Sequence, residues 1–123
     1  MDRARFIEYR GIPILLSDLS GIQDTQELQR AIRLGGELLQ SQPPGSTLVL
    51  VDVTDVEYSV ESFAVMQQSV ATNRPYVRAR AIVGLSPVAG VPYDIVAQLS
   101  ATPMGKFDDR ESAMEWLVSH VSA

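Results

Sequence analysis

Few side chains in this sequence could do chemistry, and three of them stand at matching places. Asp18, Asp52 and Ser86 each close a short apolar run. If those runs are parallel strands, the three residues share the C-terminal edge of one sheet, where open α/β sheets usually hold ligands. Neighbouring carboxylates repel, so a cation, a proton or an arginine must lie close by. A strand-terminal aspartate beside a hydroxyl, with Lys106 at hand, could accept a phosphoryl group with magnesium. The plainer role for Asp52, turn or capping residue, is the expected one.

Other reactive patterns fall away on inspection. His120 is the single histidine and the chain has no cysteine, so no His/Cys metal set or thiolate nucleophile can form. Near the C-terminus, in a last helical turn, His120 reads as a solvated group favoured by the helix dipole. Gly84-Leu85-Ser86-Pro87-Val88 lacks the second glycine of a nucleophile elbow. Ser86 also stands where a dinucleotide fingerprint needs glycine. Gly105-Lys106-Phe107 has neither the hydroxyl residue nor the glycine-rich lead of a P-loop. No catalytic residue, metal site or cofactor is expected. The basic cluster is Arg74, Arg78 and Arg80, within Asn73–Arg80. In a regular strand Arg78 and Arg80 share a face, which could meet a phosphate, an anionic headgroup or a partner's carboxylates, or could be a solvated edge.

The elements that must position these residues follow from pattern. The chain has 123 residues, 46% apolar and 20% charged, enough for one domain spanning 1–123 with its own core. A net charge of −5 disfavours nucleic acid, and no apolar run reaches the roughly 20 residues of a membrane span. With no cysteine and no leader-like segment before the first strand, a cytoplasmic place is expected. Arg5–Arg10 and Ile12–Ser17 read as a hairpin around Gly11, with Pro13 meeting solvent or a loop. Asp24 and Glu27 have capping-box spacing ahead of a helix over 24–40, in which Gly35-Gly36 implies close approach to the sheet. Thr47–Val53 is apolar on both faces, as a central strand would be. A second helix, capped near Ser59, carries Val60, Phe63, Ala64 and Val70 on one side. Ala79–Gly84 is another buried strand, and Pro92 opens a third helix with Ile95, Val96 and Leu99. Met104–Phe107 is a short edge strand. Asp108 and Glu111 open a last helix with Ala113, Met114, Leu117 and Val121 inward. The order is ββαβαβαβα, a mixed sheet that begins with an edge hairpin and carries helices on both faces.

Ser41-Gln42-Pro43-Pro44-Gly45-Ser46, Leu48-Val49-Leu50-Val51-Asp52-Val53-Thr54, Asn73-Arg74-Pro75-Tyr76-Val77 and Ala81-Ile82-Val83-Gly84 resemble the SpoIIAA-like proteins. These are small bacterial proteins placed with STAS and SEC14-type domains. The resemblance runs from about Phe6 to Leu117 and implies a STAS-like α/β sheet flanked by helices. It further implies a non-catalytic regulatory module with a protein partner, and it allows a homodimer. In signalling members of that group a serine or threonine opening the helix after the central strand is phosphorylated. Here the aligned position is Glu61, flanked by Ser59 and Ser62, and the aspartate and glycine of the family motif are missing. Ser59 and Ser62 are the phosphorylation candidates, with helix capping the expected role of Ser59. The SEC14 side implies an alternative: a binder of a lipid or small amphiphile, peripheral to a membrane, opened by a mobile third helix bearing Tyr93, Ile95, Val96 and Leu99. A receiver-like phosphoryl acceptor at Asp52 is a distant third, since receivers place two helices before the acceptor strand and an acidic pair after the first.

Overall fold

The computed structural model describes residues 3–56, 60–85 and 102–121, without the side chains of Ser62 and Phe63. Strands β1 (Ala4–Tyr9) and β2 (Ile12–Asp18) pair antiparallel. Arg10 and Gly11 between them both have positive φ, 54° and 77°, a turn whose twist matches that of the flanking strands. Pro13 costs no ladder bond, because β2 meets β3 (Thr47–Asp52) only from Leu15, opposite Val49. Strands β2, β3, β4 (Val77–Val83) and β5 (Met104–Phe107) run parallel, in the order β1-β2-β3-β4-β5. The expected interior strand is present: Leu48, Val49 and Leu50 are buried between two neighbours.

Two apolar layers sandwich the sheet. Ile14, Leu16, Leu48, Leu50, Ala79 and Ala81 face Ala113 and Leu117 of α3 (Arg110–Val118). The three alanines in that contact let the helix lie close to the sheet. On the opposite face Leu15, Val49, Val51 and Ile82 pack with residues of α1 (Thr25–Gln40), among them Leu28, Ala31 and Leu39. Met66 of α2 (Val60–Asn73) joins that layer, and α1 touches α2 directly. Helices thus cover both faces as expected. Strands in sequential order with crossovers of one hand carry their helices to one face, and the chain's last helix covers the other.

Local signals explain most boundaries. Asp24 caps α1, accepting from the Glu27 amide at 2.9 Å. A Cβ on Gly35 would meet Ser17 Oγ at 3.4 Å, whereas one on Gly36 would meet the Asn73 side chain of α2. The pair therefore serves the sheet with one residue and the neighbouring helix with the other. Three expectations need correction. The cap of α3 is Asp109, one residue later than Asp108, and it accepts from the Ser112 amide at 2.7 Å. Val121 lies beyond that helix and is 39% exposed, not inward. Val60 is 86% exposed and Ala64 is exposed too, while Met66 and Val70 turn inward; the buried stripe of α2 starts a turn later. The third helix expected around Pro92 falls outside the described residues. Among the described residues no helix is long and apolar enough to cross a membrane.

Candidate functional site

Strands β2 and β3 end in the same three-residue pattern, Asp-apolar-hydroxyl: Asp18-Leu19-Ser20 and Asp52-Val53-Thr54. Asp18 and Asp52 are register partners on adjacent parallel strands. Each carboxylate folds back on its own turn. Asp18 Oδ1 accepts from the Ser20 amide and hydroxyl at 3.1 and 2.6 Å. Asp52 Oδ1 accepts from the Thr54 amide and hydroxyl at 2.9 and 2.6 Å. The apolar residue between, Leu19 or Val53, is buried, and its amide donates to the next strand end, to Asp52 O and Val83 O respectively. Short polar side chains that capture local backbone donors are what end a strand in a turn.

Arg110 completes the cluster. Its Nε donates to Asp52 Oδ2 at 2.8 Å, and its Nη2 lies 3.4 Å from Asp18 Oδ1. An arginine at the first position of a helix opposes the helix dipole, and here two carboxylates offset that cost. Burial alone would push the Asp18 carboxyl up, but the Ser20 hydrogen bonds and the Arg110 charge outweigh it and hold the carboxyl below its ordinary value. Burial likewise works downward on Arg110, and the bond to Asp52 with the two negative charges carries it upward. Beside this cluster Gly84 adopts a φ of +81°, and a Cβ there would fall 2.1 Å from Thr54 Oγ1. Arg3 adds a second tie, donating to the carbonyls of Asp18 and Ser20 and pairing with Glu27 of α1.

The expected meeting of Asp18 and Asp52 therefore occurs, and Ser86 lies outside the described residues. Chemically the pair is occupied: both oxygens of Asp52 already accept hydrogen bonds, one from an arginine. Among the described residues no three His, Cys, Asp or Glu side chains group as a metal ion would require. Sequence reasoning missed Arg110, which is 58 residues from Asp52 and carries no local signal beyond sitting at a helix start.

The three basic residues of the Arg74–Arg80 cluster part company. Arg74 is exposed in a 3-10 turn, Arg74–Tyr76. The register between β3 and β4 shifts at Thr47/Leu48, so that Arg78 is an extra residue in β4. A bulge of this kind breaks the alternation of side chains. Arg78 donates to the carbonyls of His120 and Val121 at 2.5 and 3.1 Å, just past α3, where a cation is favoured. Arg80, the register partner of Val49, shares the opposite, α1 side of the sheet and is 6% exposed. The expected shared face of Arg78 and Arg80 is thus corrected. A shallow cleft of about 220 Å³ beside Arg78, lined by Phe6, Ile12, Pro13 and Val121, opens at the other end of the strands. His120 packs edge-on against Trp116, with ring centroids 4.4 Å apart. Ser59 and the proposed mobile-helix residues Tyr93, Ile95, Val96 and Leu99 lie outside the described residues. Ser62 falls in the first turn of α2.

No family model matches the sequence, and no curated protein matches it. Among solved structures, the chain is similar to an uncharacterised protein of the DUF3478 family with a SpoIIAA-like fold, from Shewanella loihica PV-4. The TM-score is 0.74 at 14% identity, over 93% of this chain and 91% of that one. The fold is therefore SpoIIAA-like, a mixed five-strand sheet with an N-terminal antiparallel hairpin, as the sequence motifs implied.

Proposed function

We propose that this domain is a non-catalytic, STAS-like regulatory module that acts in the cytoplasm by binding a protein partner. One observation carries the reading: the two strand-end aspartates, the obvious place for chemistry in such a sheet, are spent on Ser20, Thr54 and Arg110. Groups engaged in holding strand ends and a helix together serve a scaffold, which leaves binding at the surface as the reading. A phosphoryl acceptor at Asp52 would first have to give up its 2.8 Å bond to Arg110.

The test has two arms. Affinity capture from the native cell, followed by reconstitution with the purified candidate partner, should give a saturable one-site complex. Failure of every captured protein to bind in purified form would remove the reading. Incubation with acetyl phosphate and magnesium should leave Asp52 unlabelled by intact-mass analysis; a phosphoryl adduct on Asp52 would replace the binding module with a receiver-like acceptor. Mass analysis of protein from the native cell would also show whether Ser59 or Ser62 is phosphorylated.

A further inference from the structure

Strand β1 lies at one margin of the sheet, and among the described residues β2 is its only strand partner. The turn at Arg10-Gly11, and a 2.7 Å bond from the Asp18 amide to the Arg3 carbonyl, fix which peptide groups face β2. Bonded and unbonded positions alternate along an antiparallel pair, so Arg3, Arg5, Ile7 and Tyr9 are the residues bonded to β2. The N–H and C=O groups of Ala4, Phe6 and Glu8 point the other way, off the sheet. Natural sheets blunt such an edge by shortness, lysine, proline or a bulge. The opposite margin, β5, has four residues, among them Gly105 and Lys106. β1 has six, with no proline, lysine or register shift, and with Phe6 40% exposed near its middle.

We propose that β1 pairs antiparallel with β1 of a second copy of this chain, joining two sheets across a two-fold axis at Phe6. A two-fold perpendicular to the sheet keeps each face on its own side, so even-numbered residues must meet even-numbered ones. With Phe6 opposite Phe6, all three outward residues find partners, Ala4 of each copy meeting Glu8 of the other. The neighbouring registers leave Ala4 or Glu8 without a partner in the strand. The side chains agree. The two Phe6 rings become cross-strand neighbours, an aromatic pair that covers exposed apolar surface. On the other face Arg5 comes diagonal to Tyr9 of the other copy, whose hydroxyl donates to Glu115. A positive and a negative group thus approach twice, once on each side of the axis. The proposal is independent of the partner-binding reading and of the Asp18–Asp52–Arg110 cluster.

Sedimentation equilibrium of the whole chain should show reversible monomer–dimer exchange at about 1–100 μM, the affinity of a small interface. Amide exchange, followed residue by residue across that range, distinguishes this dimer from any other. The Ala4, Phe6 and Glu8 amide protons should slow with concentration, while those of Ile7 and Tyr9, already bonded to β2, should change far less. Phe6→Lys sets two cations on the axis and should weaken the dimer at least about tenfold, with the monomer's circular dichroism and melting unchanged. The chain has no cysteine, so single cysteines test the register. In Phe6→Cys the paired Cα atoms, about 5.5 Å apart, lie within disulfide reach; in Glu8→Cys they are about 14 Å apart. Mild oxidation should therefore link Phe6→Cys and leave Glu8→Cys unlinked. Equal linking of the two variants, an undiminished Phe6→Lys dimer, or outward amides that exchange alike at all concentrations would overturn the proposal. A chain still monomeric at about 500 μM would overturn it too, and would leave the edge to an extended segment of another protein.

Discussion

Two arginines on opposite sides of one sheet show how differently the same side chain can be accommodated. Arg110 sits at the C-terminal edge, partly exposed, with two carboxylates from two strands. Arg80 lies on the α1 side of the sheet, buried, with Val49 as its register partner and its Nε unmatched among the described residues. The first arrangement joins three elements, β2, β3 and α3, through one guanidinium. The second forms no ion pair among the described residues. What makes Arg110 a structural arginine is the set of oxygen atoms contributed by other elements.

That contrast can be broken most forcefully at the edge. Arg110→Met leaves Asp18 and Asp52 facing each other without a cation, and should cost about 3 kcal/mol, as removal of one partner from a partly buried pair does; urea unfolding at neutral pH measures it. Gly84→Ala combines a positive φ with a Cβ 2.8 Å from the Thr54 Cα and should cost about 2 kcal/mol by the same assay. Asp52→Asn, combined with Arg110→Met in a double-mutant cycle, should show coupling of about 1–2 kcal/mol; additive losses would mean that the pair does not hold α3 to the sheet. The smallest expected change is Arg80→Met, which should alter stability by no more than about 0.5 kcal/mol or raise it, since no ion pair among the described residues is lost.

Acidity sharpens the comparison. The folded pKa of Asp18 lies below its unfolded value of 3.8. Its contribution is therefore complete above that value and is lost as pH falls through the folded pKa. Stability should decline in acid below about pH 4. In Arg110→Met the downward pull on Asp18 weakens, so the decline assigned to this site should become shallower. Arg80→Met should leave the acid limb unchanged, because no carboxylate among the described residues pairs with Arg80. Denaturation midpoints measured across the acid range would separate the two.

Much of this was legible in the sequence, for identifiable reasons. Leu48-Val49-Leu50-Val51 could only be an interior strand, because four consecutive apolar side chains need cover on both faces. Asp24 with Glu27 marked the start of α1, and Gly11 marked the hairpin. The pairing of Asp18 with Asp52 was legible too, since both end parallel strands. Val60 misled because an apolar residue at a helix start fits the pattern while the buried stripe begins at Met66. Arg78 and Arg80 misled because two-residue alternation assumes a regular ladder, and a bulge lies at Arg78.

The strands and their order among the described residues were legible in the sequence, because they depend on local turn chemistry and on hydrophobic period, and the motif resemblance anticipated the SpoIIAA-like fold. The partners of the arginines were decided only when the strands and α3 came together. Arg110 meets Asp52 across 58 positions, and a one-residue register shift sends Arg78 and Arg80 to opposite sides. Long-range charge pairing and ladder irregularities leave no periodic trace along a chain, since they are set by which elements become neighbours in space.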